Sequence, residues 1–400
     1  MPSSNLSDNN RVAFSEKNGE PEMKLSNQRH LFEISNEVTY LNCAYMSPLL
    51  HSVRAAGERG LRKRARPWGL KSTEFFEDSE ILRESFARLL NATSDAIALV
   101  PSASYGLATA AANLSDRAGK NILVLHGQFP SNVYVWMEYV KRHGGELVTV
   151  KRGTGESWTA PLLKKMDPHV GIVAIPHCHW SDGSLVDLPA IRKKADEINA
   201  ALVVDLSQSF GAYPFNLEEV RPDFLVTVGY KWLMGPYGLS YLYIAPQYRN
   251  GTPIEFNWIN REGSENFSGL GTYPGGYQNG ARRFDMGERS NPVSLPMAIA
   301  ALEQIRQWTI PEIQATLREL TSQIEVGAKK LGLKPLSEKL RVGHLIGIEL
   351  GYERCLTVAA KLAQENIFVS ARGDSLRVSP HLHCTEEDIS RFLRGLEKLI

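Results

Sequence analysis

Residues 201–236 read ALVVDLSQSFGAYPFNLEEVRPDFLVTVGYKWLMGP. Two apolar runs, 201–204 and 224–228, have the length and continuity of strands buried on both faces of a parallel sheet. Asp205 ends the first run, and Lys231 follows shortly after the second. Ligands of open α/β sheets collect at the carboxyl ends of the strands. The stretch therefore predicts an α/β fold in which Asp205 and Lys231 face one crevice.

The chemistry of these two residues is complementary. A lysine becomes a nucleophile toward carbonyl groups when burial lowers its pKa, and a buried aspartate needs a cationic partner. Pyridoxal phosphate meets both needs, because its aldehyde forms a Schiff base with lysine and its ring nitrogen pairs with aspartate. Taken singly, Asp205 is equally compatible with a helix or turn cap, and Lys231 with an exposed loop lysine.

Asp205 and Gln208 in an Asp-x-x-Gln pattern, followed by YKWLMGP at 230–236, resemble the cofactor signature of the class V aminotransferase family. This family of fold-type I pyridoxal phosphate enzymes includes kynureninases, cysteine desulfurases and isopenicillin N epimerase. The resemblance extends over roughly residues 40–400. It implies a large domain with a mostly parallel sheet and a small α+β C-terminal domain.

The predicted organisation has four parts. We expect a disordered tail at 1–25 and a segment at 26–50 that packs near the active site and the small domain. The cofactor-binding domain is predicted at 51–291 and the small domain at 292–400. The N-terminal tail has neither the basic start nor the apolar core of a signal peptide.

Composition is that of a soluble globular protein. Of the 400 residues 43% are hydrophobic and 22% charged, and the net charge is +1, so neither nucleic acid nor membrane is expected as a partner. The four cysteines show no Cys-x-x-Cys spacing, which disfavours a disulfide framework and a zinc site and favours a reducing cytoplasm. His177 and His179 lack accompanying carboxylates, so no metal is predicted.

The family resemblance assigns the cofactor contacts. Small residues between a strand and a helix start form an anion site, and here the amide of Ala103 and the amide and hydroxyl of Ser104 match phosphate ligands. Phe129 matches the ring that stacks on the pyridine. Gln208 matches the hydrogen-bond partner of the phenolic oxygen, and Tyr230 matches a further phosphate ligand. A capping serine and a core phenylalanine are the ordinary alternatives for Ser104 and Phe129.

Two phosphate positions depart from the family pattern. A serine of some relatives is replaced by Val228, and a threonine that reaches the partner subunit's phosphate is matched by Glu288, whose charge repels phosphate. Ser290 or Asn291 is the expected substitute for that cross-subunit contact. A homodimer is expected, because relatives build each site from two subunits.

The substrate contacts follow from the same resemblance. Arg377, in the stretch RGDSLRVS at 372–379, matches the arginine that clamps the substrate carboxylate, a task suited to a planar guanidinium. Trp180 occupies a position where several relatives have asparagine, which suggests a bulky apolar wall. Asn42 and Tyr45 lie in a segment that covers the site in relatives. A surface salt bridge is the alternative for Arg377, and simple packing for Asn42 and Tyr45.

The sequence disfavours one reaction of the family but does not select among the others. Desulfurases carry a nucleophilic cysteine in a mobile loop before the clamp arginine, whereas residues 368–377 are short and contain no cysteine. We expect an enzyme acting on an α-amino acid, with aminotransferase first. A β-lyase or hydrolase of the kynureninase or C–S lyase kind and an epimerase are the alternatives. A catalytically silent binding protein is the alternative that is not an enzyme.

Overall fold

The computed structural model describes residues 23–153, 155–273 and 275–400. The main sheet has seven strands in the order β2-β8-β7-β6-β5-β3-β4. Strand β8 runs antiparallel to β2 and β7, and the remaining pairs are parallel. The strands of this sheet are β2 Ile97–Val100, β3 Asn121–Leu125, β4 Leu147–Val150, β5 Val170–Pro176, β6 Ala201–Asp205, β7 Phe224–Val228 and β8 Ser240–Ile244.

Helices cover both faces of this sheet, which explains the continuous apolar runs of its strands. In β2, Ile97 and Leu99 pack into one apolar core and Ala98 and Val100 into the other, as side chains alternate along a strand. The helices of this part are α1 His51–Arg64, α2 Glu74–Leu90, α3 Ala103–Ala112, α4 Ser131–His143, α5 Thr159–Lys165, α6 Leu188–Ile198 and α7 Leu217–Val220.

A second sheet, in the order β12-β13-β10-β9, and two shorter helices form the C-terminal part. Together with the main sheet, it confirms the α/β class with a smaller α+β unit. Two long helices precede this sheet, and the first of them, α8, packs on α1 and α2. The elements are α8 Ser294–Trp308, α9 Ile310–Lys330, β9 Lys334–Pro335, β10 Ile346–Glu349, α10 Tyr352–Gln364, β11 Ile367–Phe368, β12 Ser370–Arg372, β13 Ser375–Val378 and α11 Glu386–Glu397.

The N-terminal segment lies against the C-terminal part. Its strand β1, Thr39–Tyr40, pairs in parallel with β11, and Asn42 bridges to Ser379. Of the predicted tail at 1–25, residues 1–22 lie outside the described residues, and Leu25 donates its amide to Thr316 Oγ1 at 2.9 Å. The domain boundaries remain predictions, and the packing of α8 on α1 and α2 shows that chain contacts cross the boundary at 292.

Within the described residues, no helix is both long and apolar enough to cross a membrane. In the same part of the chain, no group of three or more His, Cys, Asp or Glu side chains is placed to hold a metal ion. All four cysteines are free and buried.

Asp285 ties the loop after the main sheet to strand β2. Its carboxylate accepts the Leu99 amide at 2.7 Å and pairs with Arg83 at 2.6 Å and Arg289 at 3.2 Å. All three charged side chains are fully buried. Because β2 leads directly into α3, this ion network holds the start of that helix in place.

We predict that Asp285→Ala lowers the free energy of unfolding by about 3–5 kcal/mol, since it leaves Arg83 and Arg289 buried without their shared carboxylate. Urea unfolding measures the change. Glu84→Ala, which breaks only the exposed Arg88–Glu84 pair, is the matched control and should cost at most about 1 kcal/mol. Equal losses in the two variants would contradict this interpretation of the network.

Five histidines are buried in the interior, and burial lowers the pKa of each: His177, His179, His344, His381 and His383. Burial lowers the pKa of His177 and His383 to about 4, that of His344 to about 3, and that of His381 well below its usual range. His344 donates from Nε2 to the carbonyl of Gln208 at 2.7 Å. These side chains are therefore neutral in the folded protein at pH values where an unfolded chain would already protonate them.

We predict that the free energy of unfolding falls as the pH is lowered from about 6.5 to about 4. Across this window the unfolded histidines bind protons while the folded ones do not, so lower pH favours the unfolded chain. Denaturant titrations at several pH values measure the slope. His344→Gln should reduce it, and His169→Gln, at an exposed position, should not. A slope unchanged by His344→Gln would contradict the assignment.

Candidate active site

Asp205 and Lys231 meet at one edge of the main sheet. Asp205 is the last residue of β6, and Lys231 follows the end of β7, the parallel neighbour of β6. Both side chains are buried, at 6% and 7% exposure. The structure therefore brings Asp205 and Lys231 together, as the sequence predicts.

A tight loop holds Lys231 in position. Gly235 donates its amide to the carbonyl of Gly229 at 2.8 Å, and Met234 donates to the carbonyl of Lys231 at 3.1 Å. Met234 adopts φ = +51°, a left-handed conformation that costs a side-chain-bearing residue roughly 1–2 kcal/mol. The surrounding fold maintains this strained turn, and the lysine amine stays within the protein.

Burial shifts the pKa values of Lys231 and Asp205 in the directions that favour their neutral forms. It lowers the pKa of Lys231 to about 8, with a further contribution from the charge of Arg377 and an opposing one from Asp205. It also raises the pKa of Asp205, against the Ser207 amide, which donates to the carboxylate at 2.8 Å. A reactive amine thus lies beside a carboxylate that a cationic partner would stabilise.

A cavity adjoins these groups, and its wall contains Asp205, Lys231, Phe129 and Tyr230. Lys231 Nζ lies 5.4 Å from the centre of the Phe129 ring and 5.7 Å from that of Tyr230. Burial raises the pKa of Tyr230 to about 12, so its hydroxyl is a hydrogen-bond donor at neutral pH. The cavity offers aromatic faces as well as charged groups.

Helix α3 begins at the cavity. Ala103, its first residue, lines the wall, and Ser102 accepts the Tyr105 amide at 3.2 Å, leaving the first-turn amides directed outward. A Cβ at Gly106 would lie 2.7 Å from Val226 Cγ1, so the helix packs closely on β7. The exposed Ser104 donates to or accepts from Ser102 at 2.8 Å. This helix start is suited to an anion.

Phe129 and Trp180 form an aromatic corner of the cavity. Their rings are perpendicular, with centres 5.5 Å apart, and the indole of Trp180 donates to the carbonyl of Gly127 at 2.7 Å. Phe129 is 42% exposed, so its ring is available for stacking rather than enclosed in the core. Trp180 lines the cavity, and its role as a wall against the substrate remains a prediction.

Gln208 lines the cavity but uses its amide within the protein. Nε2 donates to the carbonyl of Ala44 at 3.0 Å, and Oε1 accepts from the indole of Trp232 at 3.0 Å. The side chain thereby links the N-terminal segment to the loop of Lys231. Its predicted hydrogen bond to the phenolic oxygen of the cofactor remains a prediction.

Arg377 is buried beside the cavity with part of its guanidinium unpaired. Nη1 donates to the carbonyl of Trp180 at 2.8 Å, whereas Nε and Nη2 have no hydrogen-bond partner among the described residues. Burial and the neighbouring charge of Arg372 lower the pKa of Arg377 to about 9. An unpaired buried guanidinium is costly, so this arrangement indicates an anionic ligand.

The other predicted contact residues lie outside the wall of this cavity. Asn42 is buried and accepts from the Ser370 hydroxyl at 2.7 Å, and Tyr45 is 55% exposed. Ser290 donates to the carbonyl of Phe75, and Asn291 accepts the amides of residues 293 and 294 at the start of α8. Their substrate and cross-subunit roles remain predictions, since these contacts lie within a single chain.

The residues present fit pyridoxal phosphate. Lys231 would meet its aldehyde, Asp205 its ring nitrogen, Phe129 its ring face and the start of α3 its phosphate. Asn132, which lines the same cavity, has a buried Nδ2 without a partner in the described chain. Its orientation is fixed, because its Oδ1 accepts at 2.9 Å from the Trp136 indole, which can only donate. A polar ligand would satisfy this atom.

Sequence reasoning missed Asn132 and Arg372. Nothing in the pattern around Asn132 distinguishes it from a helix-start residue. For Arg372 a signal was available, because the two-residue turn Gly373-Asp374 pairs residue 372 with Ser375 across a hairpin. Alternation along the two strands then places Arg372 and Arg377 on one face.

Comparison with known proteins identifies the family of the chain. The family model described as Aminotransferase class-V matches residues 62–392. An uncharacterised aminotransferase, YcbU, of Bacillus subtilis is 26% identical over 80% of this chain and 84% of its own length. Isopenicillin N epimerase of Streptomyces clavuligerus is 26% identical over 79% of this chain and 83% of its own length.

The fold is also that of a solved structure. The apo cysteine desulfurase of Thermococcus onnurineus NA1 superposes with a TM-score of 0.81 over 94% of this chain and 99% of its own, at 20% identity. With the match of the family model over most of the chain, the chain belongs to the class V aminotransferase family of pyridoxal phosphate-dependent enzymes.

Proposed function

We propose that this protein is an aminotransferase that binds an α-amino acid between Arg377 and Lys231. The observation that carries the proposal is the buried guanidinium of Arg377 beside the cavity of the reactive lysine. Its Nε and Nη2 have no hydrogen-bond partner among the described residues. These two nitrogens donate from the same edge of the planar group. They therefore offer the bidentate arrangement that a carboxylate requires.

Arg377, Lys231 and Asp205 have separate roles in the proposed reaction. The bond from Arg377 Nη1 to Trp180 fixes the guanidinium, so the α-carboxylate of a bound amino acid is held in one orientation. Lys231, with its pKa lowered to about 8, would hold the cofactor through its aldehyde, and its free amine is the general base for the α proton. Asp205 would hold a proton on the ring nitrogen. Bound pyridoxal phosphate supplies the electron sink that makes the α proton acidic.

Other reactions of the family remain alternatives. The kynureninase of Shouchella clausii, 22% identical over 83% of this chain, and isopenicillin N epimerase represent hydrolysis and epimerisation. Cysteine desulfuration has less support, because Cys355 is fully buried in α10 and burial raises the pKa of its thiol to about 11. A silent binding protein has no need of an unpaired arginine beside a reactive lysine.

The proposal includes the oligomeric state, the cellular location and the partners of the enzyme. A homodimer is supported by the family's use of two subunits and by Phe256 and Tyr273, large apolar side chains that are 70% and 87% exposed in the single chain. A cytoplasmic location is supported by four buried free thiols, which suit a reducing compartment. We expect no nucleic-acid or membrane partner.

We predict that one amino acid of a panel bleaches the visible band of the cofactor-loaded protein, and that a 2-oxo acid restores it while a new amino acid forms. Lys231→Ala should lower turnover by at least about 10²-fold, since it removes the general base. Absorbance and product analysis by chromatography measure both effects.

Each alternative predicts a different outcome of the same experiment. A lyase or hydrolase would release its fragment without any oxo acid, and an epimerase would invert the amino acid without consuming it. If no amino acid changes the spectrum of a protein that carries the cofactor, the silent alternative is favoured.

A further inference from the structure

A second arginine, Arg372, lies at the same site as Arg377. It ends β12, and its guanidinium carbon is 5.7 Å from the centre of the Trp180 ring, which lines the cavity. The only hydrogen bond of its guanidinium in the described chain runs from Nη1 to the carbonyl of Ala371, at 2.7 Å. The side chain is half buried, so part of its charge is removed from water.

The strand register aligns the two arginines. In the antiparallel pair of β12 and β13, Ser370 is opposite Arg377 and Arg372 is opposite Ser375. Opposite residues of an antiparallel pair project from the same face, so Arg372 and Arg377 are diagonal neighbours on one face. Diagonal neighbours are about 7–8 Å apart at the backbone, a separation that suits two anionic groups joined by a short carbon chain.

In the part of the chain that the structure describes, neither arginine has an acidic partner. Among the described residues, no Asp or Glu pairs with Arg372 or Arg377, and none contributes to the pKa of either. Arg152 provides a contrast, because it also lies over a tryptophan, Trp158, at 5.0 Å, yet it is paired with Asp182. Stacking on an indole therefore does not by itself account for an unpaired guanidinium in this protein.

Arg372 is a cation close to the reacting groups. Arg372 lowers the pKa of both Lys231 and Arg377, which shows that its field reaches the reacting groups. Asp205 is committed to the ring nitrogen, and one α-carboxylate satisfies Arg377. Neither carboxylate pairs with Arg372, so a further anionic group would bind it on the cavity side of Trp180.

We propose that Arg372 binds a second carboxylate, so that the substrate is an acidic amino acid whose side-chain carboxylate lies against Arg372 and Trp180. This inference rests on the proposed function, because it requires the α-carboxylate to occupy Arg377. It names the substrate class that the sequence alone left open.

Carboxylate ligands test the inference without turnover. We expect the cofactor-loaded protein to bind succinate and glutarate about tenfold or more tightly than butyrate and valerate, as measured by isothermal titration calorimetry. Arg372→Gln should remove this preference, and Arg372→Lys should restore part of it. Arg377→Gln should weaken the binding of both classes. Arg354→Gln, the same charge change at an exposed site on α10, should leave the preference intact.

The same titrations distinguish a failure of this inference from a failure of the proposed function. Equal affinity of the wild type for dicarboxylates and monocarboxylates, or a preference that survives Arg372→Gln, would overturn the inference and leave the proposed function standing. Loss of all carboxylate binding in the cofactor-loaded wild type would overturn the proposed function and this inference together.

Discussion

Burial of the Lys231 amine is the constraint on which the active site depends. An ammonium group in this position loses its hydration, and this loss lowers the pKa of Lys231 to about 8, because the nearby Asp205 offsets only part of the cost. The strained turn at Met234 and the close packing of α3 on β7 maintain this position. Stability is thus given up locally to keep the amine nucleophilic.

Other polar and charged groups of the site are also buried away from water. Asp205 is buried with a raised pKa. Two nitrogens of Arg377 and the amide nitrogen of Asn132 have no hydrogen-bond partner within the described ranges. Each of these would be costly in a chain without ligands. Pyridoxal phosphate and an anionic substrate remove these costs at one time, so binding of cofactor and substrate should also stabilise the fold.

The sequence predicted the centre of the site because parallel strands end at one edge. Two apolar runs, each followed by one charged residue, were enough to place Asp205 beside Lys231. Arg372 was missed because its relation to Arg377 depends on the register of a hairpin rather than on a motif. The packing of α8 on α1 and α2 and the burial of five histidines depend on contacts between segments far apart in the sequence, which no local sequence pattern indicates.

The most direct test of this account is the site of cofactor attachment. The protein is incubated with pyridoxal phosphate, reduced with borohydride, digested and examined by peptide mass spectrometry. The account predicts a pyridoxyl phosphate adduct on the peptide that contains Lys231, and its loss in Lys231→Ala but not in Lys120→Ala. An adduct confined to other lysines, or equal labelling of Lys231→Ala and the wild type, would contradict it.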